Sequence, residues 1–175
     1  MKTITINIDG KEIEATISEQ DAAELTISEQ DAKELTAEKP WPQVGDRYWS
    51  VASDVGLNYQ TYEEDYVDQQ LAEMGNMFCT KEEAKAEVRA RKLIVAVNKR
   101  RKELNGDWVP VFSELSQFKY MITFRHGIQK FEVATVATTN TATPFGYFKN
   151  KDDLKTVIGE FKDDLTWYFT EYANS

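Results

Sequence analysis

The chain has 175 residues, of which 41% are hydrophobic and 29% are charged, and its formal net charge is −9. This balance excludes a wholly disordered chain, and the length suffices for one ordinary domain with a small appendage. The single cysteine excludes an intramolecular disulfide and a four-cysteine zinc site, and it suits a reducing compartment.

The first predicted element is a β-hairpin. Residues 2–8 and 11–17 alternate polar and apolar side chains, and Asp9-Gly10 between them favours a type I′ turn. Ser18 then has the character of a helix N-cap, which predicts a short helix through Leu25.

A tandem repeat of ten residues follows. Residues 26–35 repeat residues 16–25 except that Lys33 replaces Ala23. Two copies are too few for a solenoid, so a duplicated helical segment is the better explanation. Prolines then indicate a linker. The predicted organisation is an arm, a linker and a main α+β domain, over residues 1–36, 37–42 and 43–175.

The main domain is predicted to begin with two strands and a long helix. The strands, at 47–51 and 57–59, surround a turn that contains Asp54 and Gly56. The capping-box pattern that begins at Thr80 predicts a helix from there to about Leu104.

One face of this long helix is basic. Lys81, Lys85, Arg89, Lys92 and Lys99 share a stripe. We expect the stripe to pair with the acidic first half of the chain or to be an ordinary solvated face. With exposed aromatic residues such as Tyr48 or Tyr59 it could bind single-stranded nucleic acid, although the acidic remainder of the chain opposes this.

The second half of the domain repeats the mixture of strands and helix. Strands are predicted at 118–124 and 128–136, a short strand at 145–148, and a final helix after Asn150 in which Gly159 indicates a bend. The apolar face of that helix contains Leu154, Val157, Ile158, Phe161, Leu165, Tyr168, Phe169 and Tyr172. The predicted fold class is α+β, with an N-terminal β-hairpin and short helix, then an antiparallel sheet packed against one long helix and a C-terminal helix.

Catalytic, metal-binding and cofactor-binding patterns are missing from the sequence. Cys79 precedes a helix N-terminus, where the dipole favours a thiolate, but no residue is evident that would orient a pair with His126. One histidine and one cysteine are too few for a zinc site, the acids around residues 63–68 do not match a calcium loop, and no phosphate-binding glycine motif is present. We therefore expect no enzymatic activity, no catalytic residue, no bound metal and no cofactor.

An acidic, aromatic segment between the predicted strands and the long helix is the candidate site. Carboxylates spaced along a surface can imitate phosphates, and tyrosines supply rigid contact area. The plainer interpretation is a solubilising loop over the core. The predicted partner-binding residues are Tyr62, Glu63, Glu64, Asp65, Tyr66, Asp68 and Glu73.

The charge distribution supports this choice. Residues 1–80 contain 5 Lys and Arg against 17 Asp and Glu, residues 81–102 contain 9 against 3, and residues 103–175 contain 7 against 10. A strongly acidic chain is repelled by bare nucleic acid and attracted to basic surfaces, including the nucleic-acid channels of other proteins. Acidity also serves solubility alone.

Four stretches carry a resemblance. They are the opening twelve residues, Gly45-Asp-Arg-Tyr-Trp49, Gly75-Asn-Met-Phe-Cys-Thr-Lys-Glu-Glu-Ala84, and the Phe145 strand with the aromatic final helix. In these the chain resembles a group of small phage and prophage accessory proteins, some of which are anti-defence factors, including anti-CRISPR inhibitors of Cas nucleases. The resemblance covers most of residues 1–12 and 45–172 and implies no catalytic residue.

Three functional hypotheses follow. The leading one is a non-enzymatic anti-CRISPR inhibitor, a DNA mimic in the cytoplasm of a host bacterial cell, which binds a Cas nuclease and blocks its nucleic-acid binding. It would contact neither nucleic acid directly nor a membrane, since no stretch approaches the ~20 apolar residues of a membrane span. The alternative is a structural or regulatory phage protein that self-associates. The third is a hydrolase built on Cys79 and His126.

Overall fold

The computed structural model describes residues 2–8, 11–17 and 41–174, and contacts divide the chain into two compact units, residues 1–43 and 44–175. In the first unit, β1 (Lys2–Ile8) pairs antiparallel with β2 (Lys11–Ile17), at the positions the alternation predicted. The predicted short helix and the tandem repeat beyond residue 17 lie outside the described residues. The boundaries of the arm and the linker therefore stay predictions.

The second unit combines two β-hairpins with four helices, so the fold class is α+β. Its elements in chain order are β3 (Arg47–Val51), β4 (Leu57–Thr61), α1 (Tyr66–Glu73), α2 (Lys81–Asn105), β5 (Lys119–Arg125), β6 (Lys130–Val136), α3 (Lys151–Glu160) and α4 (Lys162–Thr170).

The two hairpins of this unit are separate sheets, whereas the sequence predicted a single antiparallel sheet. In the described part of the chain β3 pairs only with β4, and β5 only with β6. Each hairpin is extended by one isolated bridge. Trp49 and Phe78 exchange two backbone hydrogen bonds of 2.9 Å, and Tyr120 and Phe148 exchange bonds of 3.0 and 2.8 Å. Alternation along a strand identifies its buried face but not its neighbouring strand, which explains the difference.

The arrangement of hairpin, bridge and helix therefore occurs twice. The bridging phenylalanine is followed two residues later by the helix N-cap, which is Thr80 in one copy and Asn150 in the other. Lysine, two acids and a fully buried apolar residue come next, as Lys-Glu-Glu-Ala at 81–84 and Lys-Asp-Asp-Leu at 151–154. We call the copy from β3 to α2 the first module and the copy from β5 to α3 the second module.

The long helix α2 has the ends that its sequence predicted. The capping box is present, with Glu83 N donating to Thr80 Oγ1 at 3.1 Å and Thr80 N donating to Glu83 Oε2 at 3.2 Å. At the other end Asn105 is buried; its Nδ2 donates to Tyr147 O at 2.8 Å and its Oδ1 accepts from Lys149 N at 2.9 Å. This asparagine joins the end of α2 to the residues on either side of Phe148, where the sequence predicted a short strand and the structure has a single isolated bridge.

The hydrophobic core lies mainly between α2, the second module and α4. The apolar face predicted for the last helix is confirmed for most of its members, because Leu154, Val157 and Leu165 are fully buried and Ile158, Phe161, Tyr168 and Phe169 pack against the core. Tyr172 lies beyond α4, and its hydroxyl donates to Glu87 instead. Burying such a side chain stabilises the fold by about 1.5–3 kcal/mol. The predicted single helix is, however, divided at Phe161, whose φ of −114° and ψ of 22° separate α3 from α4 two residues beyond Gly159.

None of the helices within the described ranges has the length and apolar character needed to cross a membrane.

Candidate functional site

The acidic, aromatic segment forms a tight turn followed by α1. Tyr62 extends the first hairpin, since its N donates to Asp46 O at 2.8 Å and its O accepts from Gly45 N at 2.9 Å. Glu64 then adopts left-handed backbone geometry with a φ of 59°. Asp65 caps α1, because its Oδ1 accepts from Asp68 N at 2.9 Å. The orientation of α1 on the hairpin is therefore set by specific bonds.

Asp68 is buried, with 4% of its surface exposed, and so it does not present a carboxylate to a partner as the sequence predicted. Its Oδ1 accepts from Tyr48 Oη at 2.5 Å and its Oδ2 from Glu63 N at 2.6 Å. Burial alone would raise the pKa of Asp68, but these bonds outweigh it, and the pKa lies below its usual value. Burial and the nearby carboxylate raise the pKa of Tyr48. Asp68 is thus the internal anchor of α1.

The opposite side of α1 faces solvent. Tyr66 and Glu73 are seven residues apart and share a helical face, as do Val67 and Met74. Tyr66, Val67 and Met74 are 75%, 54% and 65% exposed. We call Glu63, Glu64, Asp65, Tyr66, Val67, Glu73 and Met74 the α1 surface; of the predicted residues, half-buried Tyr62 and buried Asp68 do not belong to it.

Sequence reasoning missed Val67 and Met74. The signal that could have found them is their seven-residue spacing on a predicted short helix, adjacent to Tyr66 and Glu73. Apolar side chains exposed at the centre of a charged rim are the usual composition of a protein-binding patch.

The α1 surface contains four carboxylates. No ion pair involves Glu63, Glu64, Asp65 or Glu73 within residues 41–174. The side chain of Glu73 accepts a hydrogen bond from Gln70 Nε2, an uncharged donor, at 3.2 Å. The α1 surface is therefore anionic around an apolar centre.

Within the described residues, the basic stripe of α2 forms no ion pair with the acids of residues 41–80, although such pairing was one expectation; its residues are exposed, and one of them pairs with a C-terminal acid. Arg89 contacts Asp164 at 2.8 Å. Arg100, which lies beside the stripe, contacts Glu160 at 2.9 Å. These cations hold α2 against α3 and α4, so they are not available to neutralise the α1 surface.

The two tyrosines considered for nucleic-acid stacking are buried or in contact with other side chains of the chain. Tyr48 is fully buried. Tyr59 is exposed, but its ring stacks on Trp49 at 4.7 Å and Arg47 lies over it at 5.5 Å. Lys81 lies over Trp49 at 5.0 Å and completes a ladder of rings and cations. No free ring platform for a base is left at these two positions.

Cys79 and His126 show no sign of a catalytic pair. Cys79 is exposed as a residue, but partial burial of its sulfur, with Glu83 and Asp46 nearby, raises the pKa of the thiol and disfavours the thiolate. His126 lies in the turn between β5 and β6, with its ring 5.1 Å from Phe124. No hydrogen bond joins the two in the described part of the chain.

Among the described residues, no group of three or more His, Cys, Asp or Glu side chains is placed to hold a metal ion. The arrangement as a whole is an α+β scaffold with an anionic helix face. Comparison with protein-family models, with curated proteins and with solved structures found no match to this chain.

Proposed function

We propose that this chain is a non-enzymatic, phage-type anti-defence protein that inhibits a host nuclease, such as a Cas nuclease, by placing the α1 surface in its nucleic-acid-binding cleft. The observation that carries the proposal is the set of four outward carboxylates around Tyr66 that no cation of residues 41–174 neutralises. The sequence resemblance to anti-CRISPR inhibitors supports the choice of partner.

The composition of the α1 surface suits a basic cleft. Its carboxylates would raise the rate of association with a positively charged surface, and its tyrosine and methionine supply contact area at the centre of the patch. The internal bonds of Asp65 and Asp68 hold α1 in place, which reduces the entropy lost on binding.

The test measures binding of the chain to a panel of immobilised Cas nucleases at low and high salt. Changing Glu63, Glu64 and Glu73 to glutamine is expected to slow association about tenfold at low salt and much less at high salt, since the lost attraction is screened. The ability of the chain to compete with guide or target nucleic acid for the nuclease should weaken in parallel.

The matched control changes three exposed acids elsewhere, Asp107→Asn, Glu114→Gln and Asp163→Asn, which alters the net charge equally. This control should bind as the wild type does. Equal slowing of both triple variants would show that net charge acts and the α1 surface does not. No binding and no protection of phage across a broad panel would end the proposal.

A second candidate function, self-association of a phage accessory protein, is favoured by one feature. The segment between α2 and β5 exposes four large apolar side chains: Val109 at 67%, Val111 at 41%, Leu115 at 74% and Phe118 at 55%. Exposed apolar side chains grouped on one segment indicate a contact with another protein surface, and a second copy of the chain is the simplest candidate.

Sedimentation of the purified chain tests this candidate. A concentration-dependent dimer or larger assembly is expected if the segment self-associates, and Leu115→Ser with Phe118→Ser should return it to a monomer because the apolar contact is lost. The control Val44→Ser with Val55→Ser removes apolar surface that is equally exposed but lies elsewhere. A monomer at all concentrations excludes self-association.

A further inference from the structure

A groove of opposite charge lies on the second module. It has a volume of about 600 Å³ and lies between β6 and α3. Its apolar floor consists of Phe131, Val133 and Ile158, and exposed Lys151, Lys155 and Lys162 stand at its edge. We call these six residues, with Gly159, the lysine groove.

The lysines of this groove are only weakly compensated. Lys155 lies 2.9 Å from Asp152, but both side chains are exposed, so the pair is screened by water. Lys151 and Lys162 form no ion pair with any described residue. The one acid that lines the groove, Glu132, lies 2.8 Å from Arg125. The groove therefore favours an anionic occupant.

The helix α2 of the first module has a face that corresponds to the groove face of α3. Counting from the N-caps, the groove residues of α3 correspond to residues of α2: Lys151, Lys155, Ile158 and Gly159 match Lys81, Lys85, Val88 and Arg89. By the same count Lys162, the first residue of α4, matches Lys92. Lysines thus recur with the same spacing along both segments.

Part of that α2 face is occupied by α4 of the same chain. Val88, Arg89 and Lys92 line a space of about 410 Å³ together with Phe161 and Asp164. Arg89 also bonds Asp164 at 2.8 Å and lies 4.0 Å from the ring of Trp167. An acidic, aromatic helix therefore packs on the part of the α2 face around Val88, Arg89 and Lys92, with Arg89 making the ionic contact.

On α3 the same pattern lies open. Gly159 stands where α2 has Arg89, and a Cβ added to it would meet nothing within 4 Å. Gly159 lies two residues before the break at Phe161, and the absence of a side chain there leaves the groove open to a close approach by another helix. We propose that the lysine groove binds an acidic, aromatic helical segment of a partner protein, a site independent of the α1 surface.

The test titrates the full chain into a fluorescein-labelled peptide with the sequence of residues 160–172, the segment that contains α4, and follows anisotropy. Saturable binding is expected. Lys151→Glu with Lys162→Glu should weaken it at least about tenfold, because like charges then face each other. Gly159→Trp, which fills the groove without removing a charge, should weaken it comparably, while Gly159→Ala should bind as the wild type.

Lys99→Glu with Lys102→Glu is the charge-matched control, since both lysines are exposed on α2 and lie outside the lysine groove and outside the space beside α4, and it should leave binding unchanged. Absence of saturable binding overturns the proposal. Peptide binding that is unchanged by the groove substitutions also overturns it, because the peptide would then bind the α2 face. Binding of phosphatidylglycerol vesicles through the three lysines, without binding of the peptide, also overturns it.

Discussion

Replacing Asp68 by asparagine is expected to lower the free energy of unfolding by about 2–3 kcal/mol at neutral pH. The carboxylate accepts from Tyr48 Oη and from Glu63 N, on different oxygens. An asparagine can offer an oxygen to only one of these donors, so the Tyr48 hydroxyl would have to turn its hydrogen to Gln60 Oε1, 2.8 Å away, and both charge-assisted bonds would be lost. Urea unfolding followed by circular dichroism measures the loss.

The same variant has a defined pH dependence. The pKa of Asp68 is lower in the folded chain than in the unfolded chain, where a value of about 3.9 applies. Its stabilising contribution is therefore complete above that value and is lost as pH falls through the folded pKa. The stability difference between wild type and Asp68→Asn should be largest near neutral pH and should narrow below about pH 4.

Asp65→Asn is the matched control, because asparagine caps a helix about as well as aspartate does. It makes the same chemical change three residues away and should cost under about 1 kcal/mol, mainly from the weaker interaction with the helix dipole. Equal losses in both variants, or a difference that persists unchanged at pH 3, would contradict the account of Asp68 as the anchor of α1.

Replacing Lys119 by alanine is expected to lower the free energy of unfolding by about 3 kcal/mol or more. Lys119 is fully buried, and its Nζ donates to Val111 O and, at 2.7 Å, to Ala137 O. The ammonium also lies 5.1 Å from the ring centre of Phe112. Truncation would leave a cavity and remove the donor from both carbonyls. The Lys119→Met variant restores most of the side-chain volume and should lose about half as much free energy of unfolding. Comparison of the two variants therefore separates the contribution of packing from that of hydrogen bonding.

Lys130→Ala on the partner strand is the control for this loss. Lys130 is exposed, and its truncation should change stability by less than about 0.5 kcal/mol. Because Lys119 bonds the segment between α2 and β5, its loss should also speed amide exchange around Val111. A Lys119→Ala variant within 1 kcal/mol of wild type would show that the buried bonds carry little net stability.

These two buried groups support the two surfaces that we propose to bind other molecules. Asp68 fixes the helix that carries the α1 surface, and Lys119 fixes the segment that exposes Val109, Leu115 and Phe118. In each case an internal charged group bonded to the backbone positions an exposed apolar patch. The proposed binding surfaces are therefore built on rigid supports, which favours tight association.

The local elements could be predicted from the sequence because their signals are local. The capping box of Thr80 and Glu83 defined the start of α2, the alternation around Tyr120 defined β5, and the spacing of Leu154, Val157 and Leu165 defined a buried helix face. The duplication of the modules was missed, although the similarity of residues 81–84 and 151–154 was visible, since only the matching bridges show that the two are equivalent.

The candidate site was only partly predictable. Acidity and tyrosines located the segment, but the sequence could not show that Asp68 turns inward, that Tyr48 meets it, or that Arg89 pairs with Asp164 far along the chain. Such partners are set by which elements pack together, and sequence spacing does not encode that contact.

What the sequence by itself determined is the fold class, the extents of most elements and an acidic segment rich in tyrosine, because periodicity, capping and charge are properties of neighbouring residues. What only the tertiary structure decided is which charged groups are bonded inside the molecule and which stay exposed. The buried Asp68, the buried Lys119 and the pair of Arg89 with Asp164 can be recognised only when distant elements come together. The α1 surface and the lysine groove are defined by the charged groups that remain exposed.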